Sequence, residues 1–185
     1  MRSWSLAMLA LATLAAGCAS TRPEGAAPVC VAVLPFENLS ADDNGGRIVT
    51  RMCQSALSTR EGVRVADAGL VEEALLRQRI RVPTLLTARQ RDSLHAALDC
   101  QYILFGSVVA FGFANHPYAG KVGIVSFATQ LVQLADGQIV WAKTYSRQGS
   151  DGQTFFGYGT KHDPGVLAAE MGRQVAGDIP WQKLP

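Results

Sequence analysis

The apolar positions change period several times along the chain. Leu6 to Ala16 is apolar except for Thr13. Val29 to Phe36 (Val-Cys-Val-Ala-Val-Leu-Pro-Phe) is nearly continuous until Pro35, as expected of a strand buried on both faces. A polar loop over 37–46 follows, with Asn44-Gly45-Gly46 as its turn signal. Ile48-Val49, Met52-Cys53 and Ala56-Leu57 then recur at helical spacing and predict a helix over 47–59. Gly62 marks its end, and Val63-Arg64-Val65 reads as a short strand.

Asp67 is placed to cap a helix running from 68 to about 79, with Leu70, Val71, Ala74 and Leu75 as its apolar face. Its basic end, Arg77-Gln78-Arg79-Ile80-Arg81, reads as a solvated terminus favoured by the macrodipole. Thr87 and Gln90 have the spacing of a capping box, opening a helix that buries Leu94, Ala97 and Leu98. A β-rich run over 102–111 leads into a segment, 112–122, rich in Gly, Asn and Pro. Strands over 124–134 and 139–145 flank Asp136-Gly137, which predicts a two-residue type I′ turn pairing Ala135 with Gln138. That register sets Leu134 opposite Ile139 and Val132 opposite Trp141, on one core face. Residues 148–162 turn glycine-rich and aromatic. Finally, Leu167, Met171, Val175 and Ile179 draw one stripe over 165–179, closed by Pro180. The order β-α-β-α-α-β-β-β-α describes an α/β (α+β) fold, a mixed sheet ending in an antiparallel hairpin with helices packed on it.

The first apolar run changes the picture. Met1-Arg2, a short apolar core and small residues before a break make a secretory signal, too short to span a bilayer as a helix. Leu14-Ala15-Ala16-Gly17-Cys18 resembles the bacterial lipobox, whose cysteine is acylated and becomes the first residue after cleavage. That resemblance implies a signal peptide over 1–17, a lipidated Cys18, a short tether over 18–28 and one periplasm-facing domain over 29–185. More than one acyl chain on one residue gives stable anchoring. Ala19, where an Asp would retain the protein, implies sorting to the outer membrane.

Composition narrows the function classes. Lys and Arg number 17 against 15 Asp and Glu, so nothing in the net charge draws the chain to nucleic acid. With Cys18 lipidated, Cys30, Cys53 and Cys100 remain. Cys53 lies on a helical apolar stripe and reads as a buried thiol. Cys30 and Cys100 each open a strand-like run; if those strands are parallel neighbours a disulfide between them is open, as is the alternative of two free thiols. The cysteine spacings match no zinc site, and we expect no metal and no cofactor.

Nor does the sequence carry a nucleophile motif. His95 sits on a helix surface, His116 and His162 sit in loops, and His162-Asp163 is at most half of an acid–base pair. Asn44-Gly45-Gly46-Arg47 lacks the lysine and further glycines of a phosphate loop and reads as a turn. The chain is expected not to be an enzyme. Its candidate partner surfaces are loop 112–120, with Phe113, His116 and Tyr118, and loop 149–160, with Phe155, Phe156 and Tyr158. The aromatics of the second loop could equally fold back as lids on the core.

Three blocks carry a wider resemblance. Val31-Ala32-Val33-Leu34-Pro35-Phe36-Glu37-Asn38-Leu39-Ser40 resembles the opening of the TolB amino-terminal-like domain. Tyr102-Ile103-Leu104-Phe105-Gly106-Ser107-Val108 resembles a strand of the same group, and Leu131 to Arg147 its closing hairpin. The group includes curli-secretion lipoproteins (the CsgG superfamily), flagellar assembly lipoproteins and lipoprotein activators of penicillin-binding proteins. The resemblance implies a non-enzymatic accessory in envelope assembly, secretion or transport, with an unidentified envelope protein or a second copy as partner. The alternative it implies is an activator of a cell-wall synthase. The curli-secretion proteins insert long barrel-forming hairpins; the single short segment 112–122 argues against a pore. A small periplasmic hydrolase or metal protein is the remaining reading.

Overall fold

The computed structural model describes residues 28–83, 85–152 and 159–184. The elements run β1 (Val29–Val33), β2 (Glu37–Asn38), α1 (Gly45–Ser58), β3 (Val63–Val65), α2 (Ala68–Arg77), α3 (Ala88–Leu98), β4 (Tyr102–His116), β5 (Gly120–Gln133), β6 (Ile139–Gln148) and α4 (Pro164–Asp178). A 3₁₀ turn over Trp181–Lys183 follows. The six strands form one mixed sheet in the order β3-β1-β4-β5-β6, with β2 added beside the middle of β4, at Ser107 and Val108. β1 is parallel to both β3 and β4, whereas β4, β5 and β6 are antiparallel. The expected α/β architecture is therefore present, with β2 as an addition. No helix among the described residues is long and apolar enough to cross a membrane.

Alternation of side chains along β1 explains the two layers. Val31 and Val33 point into a core shared with α1 and α4, including Leu57, Leu104, Phe127, Leu167, Met171 and Val175. Cys30, Ala32 and Leu34 point the other way, into a core with α2 and α3 that includes Val71, Leu75, Leu94 and Ile103. A strand with a helix layer on each face has no polar side to show, hence the unbroken apolar run. Cys30 and Cys100 are joined in a disulfide with Cα atoms 4.6 Å apart, because parallel pairing of Val31 with Tyr102 brings the strand starts together.

Local capping follows the sequence closely. The Asp67 carboxylate accepts from Gly69 and Leu70, Thr87 and Gln90 complete their capping box, and Asp163 accepts from Gly165 at the start of α4. The α4 stripe of Leu167, Met171, Val175 and Ile179 is fully buried. Elsewhere tertiary packing moved the boundaries. Gly45 and Gly46 are the first turn of α1, not a loop: a Cβ on Gly46 would lie 2.7 Å from the Phe36 carbonyl oxygen, so only glycine lets the helix start there. Leu70 and Ala97 face solvent, since each lies just off the narrow stripe that meets the sheet.

The largest correction is at Asp136-Gly137. β5 ends at Gln133, and residues 134–138 form a five-residue loop in which Gly137 has φ +78° while Asp136 stays at negative φ. Gly137 N–H donates to Gln133 O, and Leu134 N–H donates to Gln101 O, each at 2.9 Å. Leu134 is thereby drawn off the strand into the α2/α3 core, which a two-residue turn would not allow. Val140 forms a bulge, so Val132 pairs with Ile139 but Leu131 pairs with Trp141. One extra residue flips the face: Trp141 packs partly against the α1/α4 core, opposite Val132, and Ile139 is exposed.

Candidate functional site

The segment expected as loop 112–120 is mostly strand. β4 and β5 pair continuously from Gly112–Ile124 to His116–Gly120, so a hairpin projects past the helices and turns at 117–119. Pro117 and Gly120, with φ +67°, shape the turn. His116 braces it from inside: Nδ1 accepts from the backbone N–H of Tyr118 at 3.4 Å and of Ala119 at 3.2 Å, a task that requires Nδ1 to carry no proton. The His116 and Tyr118 rings meet edge-on, 6.2 Å between centroids. Tyr118 is 91% exposed and Phe113 57% exposed. The Lys121 ammonium stands 5.2 Å from the Phe113 ring centre, a cation–π contact that steadies an aromatic left in water. The structure thus brings Phe113, His116 and Tyr118 together on one projection. Phe155, Phe156 and Tyr158, like Cys18 and the signal segment, lie outside the described residues.

The other histidines hold backbone. His95 Nδ1 lies 2.7 Å from Cys100 O, closing the exit of α3. His162 Nδ1 lies 2.6 Å from Lys121 O and ties the base of the hairpin to the chain entering α4, while Asp163 is occupied in capping that helix. The two neighbours therefore serve different partners. Among the described residues no group of three His, Cys, Asp or Glu side chains could hold a metal ion. Cys53 is fully buried and its thiol is pushed up to about 12 by that burial, away from nucleophilic use.

A second feature escaped the sequence. The α2/α3 layer covers one face of β3, β1 and the start of β4 but leaves the same face of β4–β5–β6 open. Ser107, Ala128, Gln130, Ala142 and Thr144 line a shallow groove of about 480 Å³ there. The opposite face is closed by α4. There, the Lys143 ammonium and the Tyr145 hydroxyl both donate to Asp178 Oδ2, each at 2.7 Å. These bonds, Lys143 first, hold the Asp178 carboxyl below its usual range, while burial and then the Asp178 contact push the Tyr145 phenol up. Arg147 and Lys161 both reach Glu170.

No protein-family model matches the chain, and no curated protein matches it. The fold is that of a class of small α/β domains seen in solved structures. Lipoprotein GNA1162 from Neisseria meningitidis is similar with a TM-score of 0.56 and 23% identity, over 82% of this chain and 100% of that one. The PelC dodecamer from Paraburkholderia phytofirmans gives 0.52 and 18%, over 84% and 91%. CT253, a hypothetical protein from Chlamydia trachomatis, gives 0.55 and 11%, over 83% and 96%. At such identities the likeness is one of fold.

Proposed function

We propose that the chain is a bacterial lipoprotein, anchored in the outer membrane through Cys18, whose periplasmic domain is a non-enzymatic protein-binding accessory in envelope assembly, secretion or transport. One observation carries this reading: an exposed aromatic tip stands at the far end of the sheet from the tether. β1 begins beside the first residues of β4, and β4 is 15 residues long. At about 3.3 Å per residue its tip lies roughly 45 Å from the point where the tether joins. An anchor at one end and Phe113 with Tyr118 at the other suit a domain that presents a contact surface away from its own membrane. The Leu14–Cys18 pattern supports the anchor, and the fold shared with a protein named as a lipoprotein agrees with it.

Three experiments test the reading. Labelled palmitate should enter the wild-type chain and not Cys18→Ser; equal labelling would overturn the anchor. A photoreactive residue at Tyr118 should crosslink in cells to a secretion or assembly component. A crosslink to a cell-wall synthase would instead make the domain an activator of that enzyme, and silence in a folded, anchored protein would remove the tip from consideration. Loss of function in the His162→Ala, Asp163→Ala double variant, with the fold intact, would restore the hydrolase reading.

A further inference from the structure

The two edges of the sheet are unlike. β3 offers three residues, with Arg64 held to Asp99. β6 offers ten residues, Ile139–Gln148, without proline. Its backbone parity follows from two hydrogen bonds. Gly149 N–H donates inward to Gly123 O, and Gln148 N–H is taken on the outer side by Asp151 Oδ2, each at 2.7 Å. Because N–H and C=O groups alternate sides along a strand, Arg147, Tyr145 and Lys143 direct theirs toward β5. Ser146, Thr144 and Ala142 direct theirs outward, and no described residue meets them.

Among the described residues, no side chain covers those six backbone groups. Ala142, Thr144 and Ser146 are exposed and small, while the strand's two cations lean over the other face, onto Asp178 and Glu170 of α4. Charge or proline on an edge normally prevents pairing; this edge has neither where it is open. It also has defined ends: the Val140 bulge closes one, and Asp151 on Gln148 closes the other.

We infer that the free edge of β6 pairs with β6 of a second copy of this chain, antiparallel and centred on Thr144. This inference does not depend on the lipid anchor. The strand's own charges select the occupant and the register. With Thr144 opposite its counterpart, Ala142 faces Ser146, Lys143 faces Tyr145 and Trp141 faces Arg147, so each cation meets an aromatic ring and no like charges are opposed. A register centred on Ala142 runs the partner into the bulge. One centred on Ser146 needs the Gln148 N–H that Asp151 already holds. Centring on Tyr145 would oppose Lys143 to Arg147, two like charges.

The test uses the full chain in detergent micelles. Sedimentation should show an association that strengthens with protein concentration up to about 0.1 mM, as expected for a small interface. Thr144→Pro removes an outward N–H that the monomer does not use, and should abolish the association while leaving the thermal midpoint nearly unchanged. Thr144→Cys should give a disulfide-linked dimer on mild oxidation, since directly paired residues lie within bridging range, and Lys143→Cys should not. A wild-type monomer throughout that range would overturn the inference. So would an oligomer indifferent to Thr144→Pro, or failure of Thr144→Cys to crosslink. If Thr144→Pro does not fold, the crosslink alone decides.

Discussion

The sheet has two halves built on different terms. In the parallel half, β3, β1 and the start of β4 lie between two helix layers, and a disulfide staples Cys30 to Cys100. In the antiparallel half, the rest of β4 with β5 and β6 has α4 on one face and water on the other. The first half is all core, so its residues answer to volume. The second shows one face to water, so the residues on that face answer to solvent as well as to packing. The difference shows how one sheet can anchor a fold in one half and leave a face, an edge and a hairpin tip exposed in the other.

Five variants test that contrast, in four comparisons from the largest effect to the smallest. Ile103→Ala, in the doubly covered half, should cost about 3–4 kcal/mol by urea unfolding, while Gln130→Ala on the open face should stay within about 0.5 kcal/mol. Equal costs would erase the distinction between the halves. Replacing Cys30 and Cys100 together by Ser releases a loop spanning 70 residues and should cost about 3 kcal/mol, with wild-type protein falling to the same level in reductant. Asp178→Asn should cost about 1 kcal/mol at neutral pH. Because the folded carboxyl is held below its usual range, its contribution is complete above the unfolded value and is lost as pH falls through the folded one. Asp178→Asn should therefore flatten that part of the acid-unfolding profile. Tyr118→Ala should leave the thermal midpoint within error, because a ring so exposed loses only its edge-on contact with His116, and on the proposed reading should change only partner capture.

Much of the covered half was legible in order and type. Val29 to Phe36 announced a buried strand, Asp67 and the Thr87–Gln90 box announced two helix starts, and the four-residue stripe announced α4. Those signals are local: a cap needs its neighbours within one turn, and a buried face needs apolar residues at one period. The tip was legible in composition, since Phe113, His116 and Tyr118 stood out among Gly, Asn and Pro. That they ride on a strand-built projection was not, because weakly apolar strands without a covering layer carry no periodic signal.

The chain by itself determined the helix caps, the apolar periods and the residue types that make β1 a central strand. Only the tertiary structure decided where turns and edges fall. Leu134 left its strand because a core pocket beside Gln101 takes it, and the Val140 bulge then set Trp141 on the opposite face from Val132. Register at β6, and with it the outward direction of Ala142, Thr144 and Ser146, depends on pairing with β5 and on Asp151 meeting Gln148. Such choices compare contacts between residues far apart in sequence, and no local pattern encodes which contact wins.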